Sequence, residues 1–127
     1  MHNDTKALGS VVDWLRARHA DIMATEQEAL GLLADGDTQG YTEKMRAKAE
    51  SVATMAKDAA PELLGLPEPL RDRISRGLLR FSQSAAMGLQ LGSVFYMSAL
   101  LYPDDHKPGE PDNLALFIER VAEGDPD

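Results

Sequence analysis

Residues 81–103, FSQSAAMGLQLGSVFYMSALLYP, contain no Asp, Glu, Lys or Arg. A stretch of that length has to be hidden from water, and this requirement limits what the chain can fold into. A bilayer would accept about 18 or more apolar residues in a row. Arg71, Arg73, Arg76 and Arg80 precede the stretch and acidic residues follow it, an order that suits a positive-inside orientation. Ser84, Gly88 and Gly92 also repeat small residues in the manner of packed membrane helices. Against a span stand Ser82, Gln83, Ser84, Gln90, Ser93 and Ser98, whose polar groups are costly in hydrocarbon without partners. The stretch therefore reads as the central helix of a bundle wrapped by its own chain. A single-span membrane-associated protein is the alternative.

At 127 residues the chain is expected to form one domain, residues 1–127, with a core that needs no staples. It has no cysteine, hence no disulfide, thiolate metal site or cysteine nucleophile. The first residues, MHNDTKALGS, lack a basic segment followed by a long apolar one, so the expected compartment is the cytoplasm. A net charge of −8 disfavours nucleic acid, whose phosphates need a basic footprint. The charge is uneven: residues 67–102 are net basic, and the chain beyond Pro103 carries most of the acid.

Helical periodicity runs through the chain. Asn3, Asp4 and Thr5 are good N-cap residues, and Leu8, Val12, Leu15, His19, Ile22, Glu26, Ala29 and Leu33 follow at alternating spacings of four and three. Val11, Met23 and Leu30 widen that seam to the face a bundle helix needs. Gly36 and Asp37 stop this helix and cap the next, whose seam is Tyr41, Met45, Lys48, Val52, Met55 and Ala59. Pro61 sets its expected end. The central helix follows Pro69 and runs to Tyr102, ahead of Pro103. Asp112 then caps a short helix with Leu114, Phe117, Ile118 and Val121 on one face. The fold expected is all-α, an up-down-up-down four-helix bundle with helices near 3–35, 38–60, 69–102 and 112–123. The short fourth helix should cover residues 89–101, leaving an open side at the start of the central helix.

Catalytic patterns are missing from the sequence. No Glu-x-x-His pair suits a di-metal bundle, no serine sits in a glycine-flanked elbow, and no glycine loop precedes Lys-Ser or Lys-Thr. His2 lies at a terminus and His106 in a loop; His19 alone falls on a core seam, where it reads as a hydrogen-bonded core residue. A haem between His19 and Met87 or Met97 is conceivable in a bundle, but methionines there more often fill gaps. No cofactor or metal is expected. Arg73, Arg76 and Arg80 share one side of the central helix and form a candidate surface for an anion or acidic partner, against the simpler reading of solvated ion pairs. An antiparallel register about Gly36 sets Glu26 beside Lys48, with Ser84 of the central helix at the same level. These three form the expected interior polar layer.

The function these features suggest is a non-enzymatic protein-interaction or regulatory module, a helix-binding adaptor or chaperone-like protein, with self-pairing into a homodimer expected through the open side. The competing class is a bundle that binds a small ligand or metal, with His19 and Glu26 as its interior polar groups.

Overall fold

The computed structural model describes the backbone of residues 2–126 and the side chains of residues 5–126. Six helices follow in order: α1 (His2–Ala34), α2 (Thr38–Ala53), α3 (Met55–Leu63), α4 (Leu70–Leu91), α5 (Val94–Ala99) and α6 (Asn113–Ala122). The fold is all-α, and α1, α2 with α3, α4 and α6 make the four sides of an up-down-up-down bundle. The Asn3 and Asp4 side chains expected to cap α1, and His2, lie outside the described side chains. No described helix is long and apolar enough to cross a membrane.

The α1–α2 corner is built as its sequence requires. Gly36 takes φ +84°, the left-handed conformation that closes a helix without steric cost, and the Asp37 N–H reaches back to the Leu32 carbonyl at 2.8 Å. The Asp37 side chain accepts from the Gly40 N–H at 2.8 Å. Along α1, Val12, Leu15, Ile22, Glu26 and Ala29 are buried as the seam requires, whereas Leu30 and Leu33 near its end are exposed.

The second helix is not continuous. It breaks at Thr54 into α2 and α3, and the cause lies on another element. The Ser82 hydroxyl of α4 donates to the Val52 carbonyl at 2.8 Å and accepts from the Ala56 N–H at 3.1 Å. Those two groups would otherwise bond each other within a regular helix, so Ser82 is inserted into the ladder and kinks it. After the kink α3 continues through Pro61 to Leu63, past the end expected from the sequence. Replacing Ser82 by alanine strands both the Val52 carbonyl and the Ala56 N–H unless the helix straightens. The expected loss is about 1–3 kcal/mol in urea unfolding; an unchanged midpoint would show that the kink forms without the serine.

The central helix also departs from expectation. α4 ends at Leu91, not at Tyr102. Gly92 adopts φ +65°, its N–H bonds the Leu89 carbonyl at 3.1 Å, and the Ser93 N–H bonds the Gly88 carbonyl at 3.3 Å. That pair of bonds is a glycine helix stop. Ser93 then caps α5 by accepting from the Tyr96 N–H at 3.1 Å. α5 turns back over α4, and the Tyr96 ring lies where a Cβ at Gly88 would stand.

α6 runs antiparallel to α4 but covers a different half than the sequence suggested. Leu114, Phe117, Ile118 and Val121 are all buried. Phe117 rests on Gly77 and meets Phe81 edge-on at 5.6 Å between ring centres, and Asp125 just beyond α6 pairs with Arg73 at 2.7 Å. The helix thus packs chiefly against α1 and reaches α4 through Phe117 at Gly77 and Phe81, while its first residue, Asn113, bonds the Leu101 carbonyl. The opening predicted at the start of α4 is closed, and the bare surface lies instead at the far end of α4 and the start of α5, where Met87, Leu91 and Phe95 are exposed.

Candidate functional site

Two places bring polar side chains together with concave surface. The first is the interior layer on the α1 seam. Lys48 of α2, fully buried, donates from Nζ to Glu26 Oε1 at 2.7 Å and to the Ser98 carbonyl at 3.1 Å. Tyr102 donates its phenol to the other Glu26 oxygen, and the Lys48 ammonium sits 5.1 Å from the centre of the Tyr102 ring. One turn pair away on α1, His19 Nε2 donates to Asp112 Oδ2 at 2.8 Å, while Asp112 Oδ1 caps α6 by accepting from the Ala115 N–H at 2.9 Å. Both polar seam positions of α1 therefore clasp the segment that joins α5 to α6.

Electrostatics follow from burial and partners. Removal from water pulls the Lys48 ammonium below the usual lysine range, against the Glu26 carboxylate that holds it up. Burial and then the Glu26 charge push the Tyr102 phenol well above its usual value, so it remains a proton donor. Burial disfavours the Asp112 carboxylate, yet the bonds from His19 and the Ala115 N–H outweigh it and keep Asp112 below the ordinary carboxylate range.

Ser84 is not in this layer, contrary to expectation. It shares a hydrogen bond with the Tyr96 hydroxyl at 3.2 Å on the outer side of α4. α4 packs on α2 and α3 and stands diagonal to α1, and the place intended for Ser84 is filled from the returning chain by Ser98 and Tyr102. Tyr102 and Asp112 are the partners that sequence reasoning missed. The signal was present in principle, since Glu26 and His19 on a buried seam each demand a partner. A cleft of about 680 Å³ opens over this layer, with Met23, Leu30, Tyr41 and Met45 on its apolar side. The layer's own polar atoms are already committed to one another, and among the described residues no buried side-chain nitrogen or oxygen lacks a partner.

The second place is a cleft of about 510 Å³ between α4, α5 and α6. Its floor is the Phe81–Phe117 pair, which the bare backbone of Gly77 admits, since a Cβ there would overlap the Phe117 ring. Leu100, Leu101 and Tyr96 form one wall, and Leu116 lies on the other. Leu101 is held at φ +77°, a conformation uncommon for a branched residue, and its carbonyl accepts from the Asn113 N–H at 2.8 Å. Arg80 and Arg120 line the cleft from opposite helices. Of the arginine trio singled out in the sequence, Arg73 pairs with Asp125 and Arg76 with Asp72 at 2.8 Å. Only Arg80 faces this cleft, and its companion is Arg120 from α6. Among the described residues no group of three His, Cys, Asp or Glu side chains is placed to hold a metal ion. Comparison with protein-family models, with curated proteins and with solved structures gives no match for this chain.

Proposed function

We propose that this chain is a non-enzymatic protein-interaction module that pairs with a second copy of itself through the outer face of α4 and the start of α5. The observation that carries the reading is the bare end of α4. Leu79, Met87, Leu91 and Phe95 are 48%, 54%, 66% and 83% exposed. Leu79, Gln83, Met87 and Leu91 recur every fourth residue and so form one stripe, with Ala86 and Gln90 beside it. No charge interrupts the face beyond Arg80.

Size and charge favour a like partner. Four large apolar side chains bare on one face, one of them Phe95, are more than the singly scattered apolar residues that an ordinary monomer surface carries. A twofold axis near Met87 would bring Leu79 of one copy toward the Phe95 end of the other. Arg76 and Arg80 would then meet uncharged residues, so no like charges oppose. An anionic membrane surface is a poor alternative for a chain of net charge −8. The interior Glu26–Lys48–Tyr102 layer, its polar atoms satisfied within the fold, serves architecture in this reading. A cytoplasmic location fits a chain that uses no disulfide.

Sedimentation equilibrium at about 100 µM tests the proposal, a concentration at which any Kd in the micromolar range gives mostly dimer. The expected mass is twice the 13.8 kDa of one chain. Leu91→Glu with Phe95→Asp should restore the single-chain mass without changing the helical circular dichroism. A wild-type particle of 13.8 kDa would sink self-pairing and reassign the face to a different protein's helix.

A further inference from the structure

We propose that the cleft between α4, α5 and α6 binds a small organic carboxylate, with its head on Arg80 and Arg120 and its apolar body on Phe81, Phe117 and Leu116. The chain has 21 acidic residues against 13 Lys and Arg, so carboxylates are in ample supply for its cations. Arg18, Arg71, Arg73 and Arg76 each take one, Arg16 and Arg46 take none among the described residues but line neither cleft, and the cleft arginines are set apart by sharing one concavity. Arg80 and Arg120 take none among the described residues, although they come from different helices and line the same cleft. Two guanidinium groups left open at one concavity match a carboxylate, which accepts from such forks in paired, charge-assisted bonds.

The remainder of the cleft describes the rest of the ligand. Its volume of about 510 Å³ lies within the range of small-molecule sites and is far too small for a helix. The floor is two aromatic rings set edge to face, a surface for a chain or ring and not for a second charge. Ser84 and Tyr96 share a single hydrogen bond, in which either hydroxyl can be the donor. Two hydroxyls sharing one bond keep one proton in hand, and that donor can serve a carboxylate oxygen or a hydroxyl on the ligand. An amine ligand would place its charge beside two guanidiniums and be repelled. The partner is thus anionic at one end and apolar at the other.

Octanoate, octan-1-ol and octylammonium share one tail and differ in head charge, so they isolate the arginine contribution. Titrated into the uniformly ¹⁵N-labelled full chain, octanoate should saturate with a Kd of about 1 mM or below, as ten or so heavy atoms permit. Amide shifts should centre on Ser84, Tyr96 and Asn113. Octan-1-ol should bind about tenfold more weakly and octylammonium not measurably, given the strength of charge-assisted bonds. Arg80→Gln with Arg120→Gln should weaken octanoate at least about tenfold and leave octan-1-ol unchanged. Both side chains are exposed and without ion pairs among the described residues, so the double variant should keep the wild-type circular dichroism. Equal affinity for octanoate and octan-1-ol, octanoate binding unaltered in the double variant, or shifts mapping to another surface would each overturn the proposal. Arg80 borders the self-pairing face, so sedimentation of the wild-type chain with and without octanoate shows separately whether the dimer stands.

Discussion

Replacing Lys48 by leucine is expected to destabilise the protein by about 3–5 kcal/mol, more than the same change at any exposed lysine. Lys48 is fully buried and Glu26 is 6% exposed. Without the ammonium, the Glu26 carboxylate keeps only the Tyr102 phenol, and the Ser98 carbonyl loses its donor. An unpaired charge inside the bundle is the costly outcome, since the desolvation it suffered on folding is no longer compensated. The double change Glu26→Leu with Lys48→Leu should recover most of the loss, because both charges leave together and leucine suits a core of residues such as Ile22, Met45 and Ala49 in character. In that double variant the Tyr102 hydroxyl would keep only the weakly accepting Met23 sulfur at 3.8 Å, so recovery should be completed by Tyr102→Phe. Urea unfolding of the four proteins in the Glu26–Lys48 cycle gives the coupling directly. Additive single effects would remove the layer as an energetic unit and leave it a geometric coincidence.

The same layer shows how far the chain could be read from its residues. The heptad seam of α1 and the glycine–aspartate corner fix the α1–α2 register, and with it the placement of Glu26 next to Lys48, now seen at 2.7 Å. The third partner was not legible because residues 81–103 look like one uninterrupted helix. Gly88 and Gly92 can mean close packing or a stop, and it is Ser93, a capping residue directly after Gly92, that marks the stop. Once α4 ends at Leu91 the chain returns, so Tyr102 reaches Glu26 while Ser84 points elsewhere. The kink at Thr54 lay beyond any local pattern, since Ser82 makes it from another helix. The arginine trio followed a similar course. Arg76 with Asp72 is an i,i+4 pair that sequence spacing displays, but Arg80 and Arg120 come to line one cleft only through the fold. Local signals in this chain describe elements well and leave open which tertiary neighbour answers each polar side chain.

A chain ending at Glu110 is expected not to fold. α6 is short, and isolated helices of that length are marginal in water, so its place in the bundle comes from packing. Leu114, Phe117, Ile118 and Val121 are at most 3% exposed, and each such side chain contributes about 1.5–3 kcal/mol when fully buried. The loss is two-sided. Without Phe117 the Gly77 backbone and the Phe81 ring open to water on α4, and the α1 face beside His19 loses its cover. His19 would also lose Asp112, its only hydrogen-bond partner among the described side chains. Because the end of α4 and the start of α5 already leave Met87, Leu91 and Phe95 bare, uncovering Gly77 and Phe81 would add further apolar surface to the same helix. The truncated chain should therefore aggregate or show a broad, non-cooperative thermal transition by circular dichroism. Phe117→Ala is the graded version, expected to cost about 3–5 kcal/mol in urea while remaining folded. A truncated chain that stays soluble and melts cooperatively would mean that α1 to α5 close a core by themselves, with α6 a removable strap over the arginine-lined cleft.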